Sequence, residues 1–283
     1  LLRLAPRSTR SFRPKKRNMS TNTFIDYFGA QVGAAKYAQG RPTYPPAFLD
    51  SIVAMCPAKP KVLIDIGCGT GQATLHLSTQ VETAIGMDPS EGQVKEARVQ
   101  AEKLGISGDS LRFVVGGAED LSPAGVAPSS VDLITAAQCA HWFDLPVFYE
   151  EAKKYLTAHG TLALWCYTRP TISNCPEMEA ALQKFYTETI GPHWPPSRKM
   201  IDDKYVAINP PYGTVKKFET TMEYDLNSQG LIDYLGTWSA VQVAKKVEPG
   251  RDWFLELRQV LEKQGPDAVF KMVTPIYAVV SQL

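Results

Sequence analysis

A short apolar run that leads into three closely spaced glycines is the feature that most constrains the fold of this chain. In "VLIDIGCGTGQAT", residues 62–66 are apolar apart from one acid, three of the four apolar residues are β-branched, and a helical pattern follows over 72–78. Such a run is too short for a helix and is typical of a buried parallel strand. The glycines therefore predict a strand-to-helix turn at the carboxyl end of a strand. Ligands bind at this position in open α/β sheets.

The spacing of the glycines and the acid before them indicate which ligand. A dinucleotide loop has the pattern G-x-G-x-x-G, whereas Gly67, Gly69 and Gly71 form G-x-G-x-G. Asp65 precedes the first glycine by two residues, where its charge would repel a pyrophosphate and would suit an ammonium or a sulfonium. Asp88 lies at the tip of the next predicted strand and can accept hydrogen bonds from both hydroxyls of a ribose, a feature common to both cofactor classes. The set favours S-adenosylmethionine over NAD, and an NAD-dependent oxidoreductase is disfavoured.

The order of predicted elements indicates one α/β domain over residues 19–283. Strands alternate with helices as far as "GTLALWCYTRP", which predicts a doubly wound, mainly parallel sheet. The pattern then changes, and residues 176–212, rich in proline, are interpreted as a helical insertion on the substrate side after the fifth strand. "FKMVTPIYAVVS" is predicted to be the last strand.

Charge and cysteine content exclude several partners. The first nineteen residues carry seven basic side chains and no acid, while the rest of the chain holds 23 basic and 29 acidic side chains. An acidic body is a poor match for a phosphate backbone, so nucleic acid is not expected as a substrate. No run approaches the ~18 apolar residues of a membrane span. Five cysteines without a C-x-x-C pair argue against a zinc site and for a reducing compartment, and no metal is predicted.

The basic segment at residues 1–18 allows two interpretations. An Arg- and Ser-rich stretch without acids is typical of a mitochondrial transit peptide. Met19 followed by "STNTF" has the character of an ordinary protein start, so we favour a segment outside the fold and a cytoplasmic protein. A monomer is the favoured oligomeric state.

Several motifs in sequence order resemble those of class I S-adenosylmethionine-dependent methyltransferases. These are "DIGCGTG", "GMDPS", "GGAEDL" and "VDLITAAQCAHWFD". "YAQGRPTYP", "CAHWFD" and "LGTWSA" narrow the resemblance to the trans-aconitate methyltransferase group, over most of residues 24–283. The resemblance implies a seven-stranded sheet with the last strand antiparallel. It also implies cofactor contacts, which would come from Tyr37, Arg41, Asp65, Gly67, Gly69, Gly71, Asp88, Ala118, Glu119 and Gln138.

Methyl transfer from a sulfonium requires alignment and desolvation more than acid–base chemistry. Gln138 is expected beside the methyl group, and Trp142 is placed to stabilise the sulfonium by cation–π attraction. If the acceptor is a carboxylate, no base is needed, because its pKa is about 4. A phenol, amine or thiol would need a base, and His141 is the candidate.

An acidic small-molecule acceptor would also need cations and an apolar wall in its pocket. Arg169, Arg198 and Lys199 are available as cations. Trp165, Tyr167 and Trp238 are candidates for the wall, although all three could belong to the core. O-methylation of a small carboxylic acid is the leading hypothesis. A protein that binds S-adenosylmethionine for a partner without catalysis is the alternative from another class.

Overall fold

The computed structural model describes residues 40–106, 108 and 110–283. The predictions made for residues 1–18 and for Tyr37 lie outside the described residues. The described part begins with a short turn that leads into helix α1 (Pro46–Ala54). Pro45 and Pro46 start this helix, since proline has no N–H to leave unpaired at the first helical turn.

Strands and helices alternate in the first half of the described chain. Ser90 caps the third helix by accepting a hydrogen bond from the Gln93 N–H at 3.4 Å. The elements are β1 (Val62–Ile66), α2 (Thr74–Leu77), β2 (Thr83–Asp88), α3 (Glu91–Lys103), β3 (Leu111–Val115), β4 (Val131–Ala137), α4 (Leu145–Tyr155) and β5 (Leu156–Tyr167).

The second half is richer in helix before it returns to the sheet. A π-helical turn, Phe185–Thr189, directly follows the helix Pro176–Lys184. The elements are β6 (Thr171–Ile172), α5 (Pro176–Lys184), α6 (Arg198–Asp202), β7 (Thr214–Asn227), α7 (Ser228–Gly236), α8 (Ser239–Val247), α9 (Leu255–Gln264) and β8 (Val269–Gln282).

The described strands form a single sheet in the order β3-β2-β1-β4-β5-β8, with β7 on the far side of β8. β1 pairs in parallel with β2 and with β4, whereas β8 is antiparallel to both β5 and β7. The predicted doubly wound, mainly parallel sheet with an antiparallel last strand is confirmed. Seven long strands are present, and the two-residue β6 is an eighth that pairs with β8.

The core packs against both faces of this sheet. Leu63, Ile64, Leu133 and Ile134 of the central strands are completely buried, which explains why these strands appear in the sequence as continuous apolar runs. A third apolar cluster joins α5 to α7, α8 and α9 around Trp238. Among the described residues, no helix has the length and apolarity needed to cross a membrane.

Candidate active site

Two adjoining cavities lie at the carboxyl ends of β1, β4 and β5, beside the point where the strand order reverses. We call the first the cofactor cavity and the second the acceptor cavity. Four residues line both of them and mark their junction: Arg41, Gln138, Trp142 and Tyr167. Ligands bind at this position in open α/β sheets.

The three glycines after β1 have left-handed backbones but different surroundings. Their φ angles are +63°, +56° and +93° for Gly67, Gly69 and Gly71. A Cβ on Gly67 would lie 2.6 Å from the Sγ of Cys139, so this glycine makes room for the end of β4. A Cβ on Gly69 would point toward Gln72 and Gln93 of the cavity wall, with 3.4 Å to the nearest atom. Gly69 is therefore the glycine that keeps the backbone open to a ligand.

Asp88 lies in the cofactor cavity, at the carboxyl end of β2. Its Oδ2 accepts a hydrogen bond from the Gly69 N–H at 3.0 Å, and its Oδ1 accepts one from the Ser90 N–H at 2.8 Å. Burial raises the pKa of this carboxyl to about 6, and it is ionised at neutral pH. Each carboxylate oxygen keeps a lone pair, so the group can still accept hydrogen bonds from a diol.

Asp65 does not reach the cofactor cavity, which differs from the predicted contact with an ammonium. Its side chain is completely buried, and its two oxygens accept hydrogen bonds from the hydroxyls of Thr74 and Thr135 at 2.5 and 2.7 Å. Burial raises its pKa to about 6. Asp65 therefore ties β1 to β4 and to α2.

Ala118 and Glu119 also lie away from the cofactor cavity. Ala118 packs in the core and is 3% exposed. The carboxylate of Glu119 is exposed and accepts a hydrogen bond from the Asp144 N–H at 2.9 Å. The structure thus gives both residues packing and loop contacts where the sequence resemblance implied an adenine site.

Gln138 is the strained residue at the junction. Its φ is +59°, an uncommon value for a residue with a side chain. Its backbone N–H donates to the Trp165 carbonyl at 2.8 Å, and its side-chain amide accepts from the Tyr167 N–H at 2.6 Å and donates to the Tyr167 carbonyl at 3.1 Å. The residue therefore extends the pairing of β4 with β5 and fixes Tyr167 between the two cavities.

Arg41 spans the junction from the opposite side. Its Nη1 donates to the Tyr167 hydroxyl at 2.6 Å, and its Nη2 donates to the Thr237 carbonyl at 3.1 Å. The guanidinium thus connects the end of β5 to the turn between α7 and α8. It lines both cavities.

His141 and Trp142 follow β4 in a single 3-10 turn, Ala140–Trp142. Their rings lie 4.9 Å apart, and the Nδ1 of His141 is 3.3 Å from the hydroxyl of Tyr205. Burial, with smaller contributions from the charges of Arg198 and Arg41, lowers the pKa of His141 to about 3. This imidazole is neutral at physiological pH and is a weak base.

The acceptor cavity contains some of the predicted substrate residues and not others. Arg169, Tyr167 and Trp238 line it. Trp165 does not, because it lies two residues before the end of β5 and is completely buried against Tyr44 and Phe48. Trp165 is a core residue.

The Arg169 side chain is already paired. Its Nη2 donates to Glu179 Oε1 at 2.7 Å, while the other Glu179 oxygen accepts from the Ile172 N–H at 2.7 Å. Its Nη1 is buried and makes no hydrogen bond with the described residues.

The sequence analysis did not identify all of the residues that the 176–212 insertion contributes to the acceptor cavity. Trp194 and Arg198 line the cavity from this side, and Tyr234 of α7 completes the aromatic wall. Lys199, considered together with Arg198, instead makes an exposed pair with Asp203 at 2.8 Å. In the sequence, a tryptophan and an arginine close together in "HWPPSR" were the available indication of this wall. The residues that hold them in place lie outside this segment.

Comparison with known proteins agrees with this geometry. A family described as a methyltransferase domain matches residues 64–164. A "Putative methyltransferase" of Dictyostelium discoideum is 35% identical over 266 residues, which cover 92% of this chain and 95% of that protein. A "Probable S-adenosylmethionine-dependent methyltransferase" of Saccharomyces cerevisiae is 32% identical over 160 residues, 56% of this chain and 53% of the yeast protein.

A solved structure extends the similarity to the fold. The structure of a "Putative Type II Methyltransferase" from Anaeromyxobacter dehalogenans has a TM-score of 0.71 at 28% identity, covering 86% of this chain and 97% of that one. The doubly wound sheet and its site at the strand ends define an S-adenosylmethionine-dependent methyltransferase. The chain belongs to the class I family of these enzymes.

The cofactor cavity fits S-adenosylmethionine. The open space at Gly69 allows close approach of a ligand to the backbone, and Asp88 offers a carboxylate to the ribose. Trp142 and Tyr167 offer aromatic rings where this cavity meets the acceptor cavity. Among the described residues, no group of His, Cys, Asp and Glu side chains could hold a metal ion.

Proposed function

We propose that this enzyme O-methylates a carboxylate of a small acidic molecule, with a trans-aconitate-like acid as the first compound to test. One observation carries the proposal: Arg41, Arg169 and Arg198 all line the acceptor cavity, and no acidic side chain is among the described residues that line it. Arginine binds carboxylates with paired, charge-assisted hydrogen bonds. The excess of positive charge in this cavity favours an anionic acceptor.

The residues at the junction support transfer to such an acceptor without a base. S-adenosylmethionine, when bound, supplies an electrophilic methyl group and leaves as a neutral thioether that needs no proton. A carboxylate with a pKa of about 4 is ionised at neutral pH, so no proton has to be removed from it. The enzyme then contributes alignment and exclusion of water, effects that give large rate accelerations.

We assign these two effects to the junction residues. Gln138 and Arg41 fix the position of Tyr167 through hydrogen bonds to its backbone and to its hydroxyl. Trp142 lines both cavities beside them, where the face of its ring can stabilise a sulfonium.

The low pKa of His141 argues against a phenol, amine or thiol acceptor. A phenol, amine or thiol would need a base with a pKa near the working pH. Burial holds the pKa of His141 at about 3, so its imidazole is a poor proton acceptor.

The 176–212 segment is the substrate side of this proposal. Residues of this segment form one wall of the acceptor cavity, and α6 contacts the 140–142 turn that carries His141. We infer that this segment selects the acceptor within a single domain. We also propose a cytoplasmic location, as the cysteine pattern of the sequence suggests.

The test is a panel of acceptors with labelled S-adenosylmethionine, followed by mass spectrometry. The panel contains trans-aconitate, other aliphatic and aromatic acids, phenols, amines and thiols. We expect methyl esters of one or more acids, which base hydrolysis returns to the free acid. Methylation of phenols, amines or thiols only would refute the carboxylate proposal and leave the family assignment intact.

A further inference from the structure

The acceptor cavity contains three arginines, and their hydrogen bonds distinguish them. Arg41 donates to Tyr167 and to Thr237, and it also lines the cofactor cavity. Arg169 is paired with Glu179, whose carboxylate offsets its charge directly. Arg198 has a third arrangement, in which the hydrogen bonds are all on one edge of its guanidinium.

The hydrogen-bonded edge of Arg198 carries its Nε–H. This N–H donates to the hydroxyl of Tyr186 at 2.9 Å and to Asp202 Oδ1 at 3.1 Å. The Tyr186 hydroxyl in turn donates to the same Asp202 oxygen at 2.6 Å. Three groups therefore close a small hydrogen-bonded ring around one nitrogen of Arg198, and the ring fixes the rotation of the guanidinium.

Aromatic rings hold the plane of the same group. The central carbon of the guanidinium lies 4.5 Å from the centre of the Trp194 ring and 5.4 Å from that of Tyr186. Trp194 is itself held by its Nε1–H, which donates to the Tyr186 carbonyl at 3.2 Å. Stacking of this kind orients a guanidinium and leaves its hydrogen-bonding edge available.

The two terminal nitrogens of Arg198 make no hydrogen bond with the described residues. The side chain is only 14% exposed and lines the acceptor cavity, while Asp202 lies outside the lining and is 45% exposed. Asp202 offsets part of the charge, but the terminal nitrogens still present four N–H donors in one plane. This geometry matches the two oxygens of a carboxylate.

We propose that Arg198 binds a carboxylate of the acceptor, and that Tyr186 and Asp202 are positioning residues that hold its guanidinium for this contact. The proposal rests on the proposed function, since it requires an anionic acceptor. It separates the roles of the three arginines. Arg198 recognises the acceptor, Arg41 connects the two cavities, and Arg169 is held mainly by Glu179.

The π-helical turn at Phe185–Thr189 contributes to the positioning of Arg198. It brings the Tyr186 hydroxyl against both Arg198 and Asp202, an i,i+4 pair of α6. Such turns occur often at functional sites because they shift a side chain relative to a regular helix.

The test uses the full chain and the acid that the wild-type enzyme methylates fastest in the panel. Arg198→Gln removes the charge, whereas Arg198→Lys keeps it and loses the paired geometry. Tyr186→Phe removes only the hydroxyl that positions Arg198. Lys199→Gln is the matched control, because Lys199 is the next residue of α6 and makes the same i,i+4 pair with an acid outside the cavity.

We expect Arg198→Gln to raise KM for the acid about 30- to 100-fold, the range for a hydrogen-bonded charge. The value of kcat and the Kd for S-adenosylhomocysteine should change less than about 3-fold. Arg198→Lys should recover part of the loss, and Tyr186→Phe should raise KM about 3- to 10-fold. Lys199→Gln should match the wild type.

An unchanged KM for a methylated acid in both Arg198 variants would overturn the role of Arg198 and leave the carboxylate proposal standing. A wild-type enzyme that methylates no acid would overturn both. A general loss of stability does not mimic the expected result, because it lowers the amount of active enzyme and therefore kcat at unchanged KM. If Arg198→Gln does not fold, Tyr186→Phe tests the proposal, and an unchanged KM in this variant refutes the positioning role.

Discussion

The pKa of His141 gives a direct test of whether a proton is transferred in the reaction. Burial and the charges of Arg198 and Arg41 lower this pKa from its ordinary value of 6.5 to about 3. A difference of this size makes protonation of the imidazole less favourable by about 5 kcal/mol. His141 therefore stays neutral from pH 5 upward and is a much poorer proton acceptor than an ordinary histidine.

We expect His141→Gln to reduce kcat by no more than about 10-fold, through altered packing against Trp142. The wild-type rate should vary little between pH 7 and 8.5, because neither His141 nor an ionised carboxylate acceptor titrates in this interval and Asp88, with a pKa of about 6, is already ionised. Single-turnover rates with the methylated acid measure the chemical step directly. His159→Gln is the matched control, since His159 is exposed at the start of β5.

A general base at this position would give the opposite results. The rate would rise with pH through the pKa of the base, and His141→Gln would lose 100-fold or more. Both results together would refute the reasoning and assign a protonated acceptor to the enzyme.

Two further predictions concern the glycine turn and the acid beside it. Asp65 has its pKa raised to about 6 by burial, so the stability it contributes is full below about pH 4 and is lost as the pH rises through 6. Relative to Asp65→Asn, the wild type should lose about 2 kcal/mol of unfolding free energy between pH 4 and 7 in urea titrations; a difference independent of pH would contradict this. Gly67→Ala should lower the unfolding free energy by about 2 to 4 kcal/mol, because the added Cβ strains the backbone and meets Cys139. Gly69→Ala should cost about 1 to 2 kcal/mol from its positive φ and should mainly weaken S-adenosylhomocysteine binding measured by calorimetry; equal effects of the two variants on stability and binding would contradict the distinction.

The fold could be predicted from the sequence because its signals are local. The buried strand before Gly67, the regular alternation of strands and helices and the acid at the tip of β2 each occupy a few consecutive residues. Parallel strands bring their carboxyl ends to one edge, so Asp88, Gln138 and Tyr167 could be expected to converge there without knowledge of any contact.

Whether a given side chain faces the core or the ligand cavities could not be predicted from the sequence, because it depends on the tertiary contacts. Asp65 was expected to face the ligand, but the threonine hydroxyls that bind its oxygens come from α2 and β4. Trp165 and Tyr167 lie on the same face of β5. Tyr44 and Phe48 pack against Trp165 and bury it in the core, whereas Tyr167, at the end of the strand, lines both cavities.

The roles of the arginines also required the fold. Arg169 and Arg198 are equivalent as isolated cations in the sequence. Glu179 pairs with the first, whereas Tyr186 and Asp202 orient the second and leave its terminal nitrogens toward the acceptor cavity. Hydrogen bonds and stacking act over a few ångströms in space, so the folded arrangement of neighbouring side chains decides what each arginine can bind.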